Sequence, residues 1–224
     1  MANEISESTE PARGGRNLRA DAERNRERVL ETAREVFAEF GLDVSTNEIA
    51  RRAGVGVATL FRRFPTRDDL VAATFADKMR AYSEAIDGAL ADPDPWNGFC
   101  GYMERVCRMQ ADDRGFADVL TMTFPTAKAF EEERNRSANA LGELLDRAKA
   151  AGKLRHDFEH QDVPLMLMAN AGVVTATRDA APEAWRRLLG YLLQSFAAAA
   201  AQPLPDPPTK GQMYRALMRL SPPQ

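Results

Sequence analysis

The side chains that most often do chemistry are scarce in these 224 residues, and poorly spaced for it. His156 and His160 have the i, i+4 spacing of a metal-binding helical turn, with Asp157 and Glu159 between them. They stand in a loop ahead of a helix, and no further strong ligand follows, so no metal site is expected. Cys100 and Cys107 are seven residues apart on one expected helix. That spacing is about 10.5 Å along the axis, too far for a disulfide, and both read as small buried hydrophobes. Gly54-Val55-Gly56 begins like a dinucleotide-binding loop, but it follows a helix rather than a strand and lacks the third glycine. There is no phosphate-binding lysine loop, no G-x-S-x-G elbow and no H-E-x-x-H zinc helix. These residues imply neither an enzyme nor a cofactor.

What the spacing does support is electrostatic. Ser45–Arg67 holds Arg51, Arg52, Arg62, Arg63 and Arg67 against Glu48 alone, a local excess of four positive charges. Residues 12–34 add seven arginines against four carboxylates. The whole chain carries 30 Lys and Arg against 33 Asp and Glu, a formal charge of −3. A polybasic coat is therefore excluded, and the positive charge is concentrated in one segment, as a phosphate-contacting face requires.

That segment must be held by helices. Val29, Ala33, Val36, Phe37 and Phe40 recur at one face of a helix that Gly41 ends. Ser45-Thr46-Asn47-Glu48 reads as a capping box opening a second helix, its inner face Ile49, Ala50 and Ala53. Gly54 breaks it. A short third helix follows, with Leu60, Phe61 and Phe64 inward, and Pro65 closes it. Helix, tight glycine turn and short helix is the helix-turn-helix layout. Locking Ile49, Ala53, Leu60 and Phe64 together leaves Val57, Ala58, Thr59, Arg62 and Arg63 to project outward. A DNA major groove about 12 Å wide admits one helix carrying such small residues and cations.

The run RVLETAREVFAEFGLDVSTNEIARRAGVGVATLFRRFPTRDDL resembles the N-terminal domain of the TetR/AcrR family of bacterial transcriptional regulators. The likeness covers about 45–50 residues and rests on F-x-x-x-G, S-T-x-x-x-I-A, A-G-V, T-L-F and F-P-T-R-x-x-L. It implies a homodimer that binds a palindromic double-stranded DNA operator, usually represses, and is released by a small-molecule effector in its C-terminal domain. It further implies that Thr46 holds a phosphate and that Asn47, Val57, Ala58 and Thr59 face base edges. Phe61 would lie against the DNA backbone, while Arg62, Arg63 and Arg67 contact phosphates or bases. Three residues depart from the family pattern: Phe61 stands for the usual Tyr, Arg67 for Lys and Gly56 for Ser. Arg67 keeps the cation, whereas Phe61 and Gly56 favour a second reading, in which an all-α small-molecule-binding or interaction protein retains a weakened helix-turn-helix.

The remainder is helical with polar breaks, so the fold class is all-α, a three-helix DNA-binding domain followed by a helical C-terminal domain. The expected divisions are an arm over 1–20, the helix-turn-helix over 21–66, a ligand-binding and dimerisation domain over 67–202, and a tail over 203–224. That tail opens with four prolines in Pro203–Pro208 and continues as an amphipathic stretch with Met213, Leu217 and Leu220. By resemblance, Asp162–Arg178 and Pro182–Ala201 pair with their copies in a second chain through Leu165, Met168, Gly172, Trp185, Leu189, Leu192 and Phe196. An effector pocket is expected beside the long Leu70–Leu90 helix, with Met103, Val106, Cys107, Met122, Phe124, Phe130, Met166 and Asn170 as its walls. Asn170, inside an apolar helix, needs a polar partner. No apolar run reaches the ~18–20 residues of a membrane span, and the polar, acidic Met1–Pro11 is unlike a secretory signal. A cytoplasmic protein is expected.

Overall fold

The computed structural model describes residues 13–220. Its secondary structure is ten α-helices and one 3₁₀ turn, and the β structure among the described residues is a single bridge between Leu154 and Ala197. The all-α expectation holds.

Helix α1 (Arg13–Phe40) starts eight residues before the expected Asp21, so 13–20 continue the helix rather than forming an arm. Residues 1–12 lie outside the described residues. Its apolar face is Val29, Leu30, Ala33, Val36 and Phe37, all buried. Fully burying a side chain such as Phe37 stabilises by roughly 1.5–3 kcal/mol. Phe40, expected on that face, is 40% exposed and carries the Arg52 guanidinium 5.0 Å above its ring. Leu42 takes the buried place beyond the turn. Gly41 makes that turn at φ +76°, a backbone that side-chain-bearing residues rarely adopt.

α2 (Thr46–Arg52) and α3 (Val57–Arg63) follow, with Gly54 at φ +64° between them. Half of the expected capping box is present. The Ser45 hydroxyl accepts from the Glu48 amide at 3.3 Å, but the Glu48 carboxylate does not return. It is held instead by Arg51 and Arg52, whose charged donors outcompete one backbone amide. The complete box sits at α4 (Arg67–Leu90), where Thr66 and Asp69 satisfy each other's amides. That cap, and Asp69 in the first turn, set the start of the longest helix of the C-terminal body.

The body is built on α5 (Pro95–Asp112), which packs against α4, α6 (Arg114–Thr121), α7 (Lys128–Ala150), α8 (Asp162–Thr177) and α9 (Ala184–Phe196). Surrounded on so many sides, α5 buries Phe99, Tyr102, Met103, Val106, Cys107 and Gln110. α9 ends five residues short of the expected Ala201. Past Phe196 the chain turns extended and pairs with the α7–α8 loop, where the Arg155 amide donates to the Phe196 carbonyl at 2.9 Å. Phe196 then seats on Phe158, ring centres 4.8 Å apart. The proline strap leads to α10 (Lys210–Leu220), which lies back on the body with Met213 buried.

Candidate nucleic-acid interface and effector cleft

The helix-turn-helix is held from behind. The Arg28 guanidinium donates to the Ala53 carbonyl at 2.9 Å, tying α1 to the end of α2. Ile49, Ala50, Leu60 and Phe64 close the space between the three helices. Helical periodicity then forces the other side of α3 outward: Val57 and Phe61 are each 40% exposed, and Ala58, Arg62 and Arg63 are exposed. Thr59 is half-buried, as is Thr46 at the start of α2, while Asn47 is exposed. Phe61, placed inward by periodicity and outward by resemblance, faces outward.

The five arginines of this segment divide into three kinds. Arg51 and Arg52 clasp Glu48, and the two guanidiniums, Arg51 first, pull its carboxyl down to a pKa of about 2. Arg62 and Arg63 form no ion pair among the described residues and are the cations left to meet a polyanion. Arg67, expected at a phosphate or base, is engaged within the protein. It is half-buried, donates to the Val44 carbonyl at 2.6 Å, and has its other terminal nitrogen buried. Its position at the first turn of α4 aims it at the α1–α2 loop, so it braces that loop.

The body grips this unit through α6, a connection the sequence does not reveal. The Asp118 carboxylate accepts the Leu42 amide at 2.8 Å, immediately beyond the Gly41 turn. Burial raises the Asp118 pKa, partly offset by the Leu42 amide and by Arg114. Gly115 lets α6 approach so closely that an added Cβ would stand 2.8 Å from both Phe37 and Phe75. Phe37, Phe75 and Phe116 form a ring stack from α1 through α4 to α6, with centres 5.9 and 6.0 Å apart. Asp68, near the start of α4, accepts from the Thr126 amide and hydroxyl at 3.1 and 2.7 Å.

A cleft of about 1170 Å³ opens in the body, walled by Tyr82 of α4, Leu120 of α6, Leu141 of α7, Val163 and Leu167 of α8, and Met213 of α10. None of the eight residues expected as its lining borders it. Met103, Val106 and Cys107 are packed inside α5's fully surrounded face. Phe124 and Phe130 fill the α6–α7 corner edge to face, 5.7 Å apart, with Met122 buried beside them. Met166 and Asn170 are buried on α8, where Asn170 turns to α5 and donates to the Gln110 side chain at 2.9 Å. The polar partner Asn170 required is therefore Gln110. Burial pushes the thiols up, Cys100 to about 11 and Cys107 to about 12, which leaves them unreactive near neutral pH. Among the described residues no group of three or more His, Cys, Asp or Glu is placed to hold a metal ion.

The interface residues expected on α8 and α9 also divide. Trp185 and Leu189 are 2% and 4% exposed within a single chain, so neither is free for a partner, while Phe196 is half-buried against Phe158. Leu165 is 43% exposed, Gly172 is exposed, and Met168 and Leu192 are half-buried. Tyr191, 57% exposed and not anticipated, joins them on the open side.

Among the described residues no helix is long and apolar enough to cross a membrane. Residues 29–74 match the sequence profile of "Bacterial regulatory proteins, tetR family", and residues 94–195 match "Transcriptional regulator SbtR-like, C-terminal domain". An HTH-type transcriptional regulator of Staphylococcus aureus is 43% identical over 54 residues, 24% of this chain. The matched stretch spans 29% of that protein's length. The crystal structure of a TetR transcription regulatory protein from Mycobacterium vanbaalenii is 33% identical over 80% of this chain and 99% of its own, with a TM-score of 0.45. The FadR regulator of Bacillus subtilis, solved with stearoyl-CoA, shares the fold at 17% identity over 79% of this chain and 99% of its own, with a TM-score of 0.56. With a helix-turn-helix in front, a helical body behind, and both parts matched in sequence, the chain belongs to the TetR family of bacterial regulatory proteins.

Proposed function

We propose that this chain is a transcriptional repressor that binds a palindromic operator as a homodimer and leaves it when a small molecule enters the cleft. The observation that carries the reading is the outer face of α3. Its small residues Val57 and Ala58 and its unpaired Arg62 and Arg63 stand exposed on a unit whose inner face is fully packed. Thr46, Asn47, Thr59 and Phe61 border the same face, and Arg67 supports it from behind the loop. Two such faces about 34–36 Å apart occupy successive major grooves.

The second copy is supported by α8, whose exposed side between Leu165 and Ala176 is apolar but for Thr175. One side, with Val163, Leu167 and Val174, is buried in its own chain, while Leu165, Ala169, Gly172 and Ala176 are exposed. A helix without a polar face is ordinarily covered on both sides. Release is supported by α6, which carries Leu120 into the cleft and Gly115, Phe116 and Asp118 against α1 and α4. A ligand pressing on Leu120 therefore acts one turn from the contacts that set the α1–α2 loop. A coupling of about 1–3 kcal/mol changes affinity some 5- to 150-fold. The Bacillus subtilis neighbour, which shares this fold, was solved with stearoyl-CoA, and this supports a small-molecule effector here.

Selection of duplex fragments by the purified full chain, with affinity followed against salt, tests the proposal. A recovered inverted repeat bound with a steep salt dependence is the expected result. Failure to retain any duplex at low ionic strength would leave the alternative of a ligand-binding protein with an idle helix-turn-helix. Gly56, which gives α3 no side-chain cap, is the feature that would explain such a failure.

A further inference from the structure

The chain beyond residue 195 lies outside both family matches, yet it builds one wall of the cleft. Lys210, Met213, Tyr214 and Leu217, one face of α10, border the space between α7 and α8, and Met213 is only 6% exposed. The strap that carries α10 is fastened at its root. Arg155, buried and paired with Asp157, donates to the Gln202 carbonyl at 2.5 Å and to the Ser195 carbonyl at 3.3 Å. At its far end the Thr123 hydroxyl meets the Met218 sulfur at 2.7 Å. From Gln202 to Thr209, ahead of α10, the chain is a proline-rich strap without helix.

We propose that α10 is the lid of the effector cleft and that the cleft takes an uncharged molecule with an apolar body and a hydrogen-bond donor. This rests on the reading of the cleft as the effector site. The apolar body follows from the walls, Leu120, Leu141, Val163 and Leu167 below and Met213 and Leu217 above. The lack of net charge follows from balance. Glu131, Glu143 and Asp146 offset Arg134, Arg147 and Lys210, and two of these cations are already committed. Arg134 is bonded to the Met122 carbonyl and Glu131, and Arg147 to the carbonyls of Leu90 and Asp92. His160 is held toward its neutral form by burial and then by Lys210. The donor follows from Gln161, which borders the cleft with its side-chain carbonyl oxygen buried and without a hydrogen-bond partner. A ligand N–H or O–H there would satisfy it.

The test uses the full chain and 1-aminoanthracene, a flat neutral amine whose fluorescence reports an apolar site, beside the anionic anilinonaphthalene sulfonate. Expected are saturable binding of the neutral probe in preference to the anion, and slowed amide exchange in 139–167 and in 210–220 when it is bound. Met213→Asp should weaken binding at least tenfold. Arg219→Ala, on the same helix but away from the cleft, should leave it unchanged. Gln161→Leu should weaken the amine more than its hydrocarbon parent, anthracene. Slowed exchange in 139–167 with none in 210–220, together with unaltered binding by Met213→Asp, would overturn the lid while leaving the cleft. Preference for the anion would overturn the ligand class. No slowing in 139–167 would overturn the effector-site reading itself, and the lid with it.

Discussion

Glu48 is the residue on which the local charge balance turns. It holds two of the five arginines of the helix-turn-helix on the surface of α2, while Arg62 and Arg63 form no ion pair among the described residues. Because its pKa is lowered from 4.5 to about 2, the stability the clasp contributes is full above pH 4.5 and is lost as pH falls from there through 2, where the carboxylate itself is protonated. A side-chain carboxyl titration by NMR should show Glu48 with a midpoint near 2, and a midpoint near 4.5 would mean that the clasp is not formed in solution. At the DNA face, Arg62→Ala and Arg63→Ala should each weaken operator binding and lower its salt slope by about one ion, with the unfolding midpoint unchanged. Arg67→Ala should behave differently. It removes the bond to the Val44 carbonyl, worth about 0.5–1.5 kcal/mol, so both the unfolding midpoint and the affinity should fall. Equal behaviour of Arg62→Ala and Arg67→Ala in paired melting and binding titrations would contradict this division.

Among the elements, α6 joins the two halves of the molecule. It is eight residues long, and its reach depends on Gly115, where α1 and α4 come closest. Any side chain there must displace Phe37 and Phe75, which are fully buried and stacked on each other. Gly115→Ala should therefore destabilise the chain by about 1–3 kcal/mol, the usual result of overpacking. It should also shift operator affinity in the absence of effector, because the residues displaced are those behind the Gly41 turn. A denaturant midpoint and an apo affinity both equal to those of the parent would remove α6 from the coupling route. The sequence shows α6 only as a stretch between two breaks, since its importance comes from what packs on both sides of it.

For the whole molecule, the decisive quantity is what α8 and α9 leave uncovered. Trp185 and Leu189 are needed inside one chain, whereas Leu165, Gly172 and Tyr191 face out. Leu189→Arg should therefore unfold the chain, by burying an unpaired charge. Leu165→Arg should keep the helical circular dichroism and shift sedimentation from dimer toward monomer. A folded Leu189→Arg dimer, or an unaltered Leu165→Arg dimer, would each contradict the assignment. If two copies fold together, the melting temperature should also rise with protein concentration.

The sequence alone determined what depends on neighbours along the chain. The 3.6-residue spacing of Val29 to Phe37, the caps at Ser45 and Thr66 and the glycines at 41 and 54 set the helices and turn of the helix-turn-helix. The excess of arginine in Ser45–Arg67 pointed to a polyanion as the partner of that same short stretch. What spacing could not supply was which of several apolar faces meets which. Met103, Val106 and Cys107 have the same period as a cavity lining, and only the packing of five helices around α5 makes them solid core. The cleft in the body combines Tyr82, Leu120, Leu141, Val163 and Leu167, far apart in the chain, with Met213, which joins them once α10 folds back. Periodicity fixes which side of a helix is apolar, but the identity of the surface that covers it belongs to the tertiary structure.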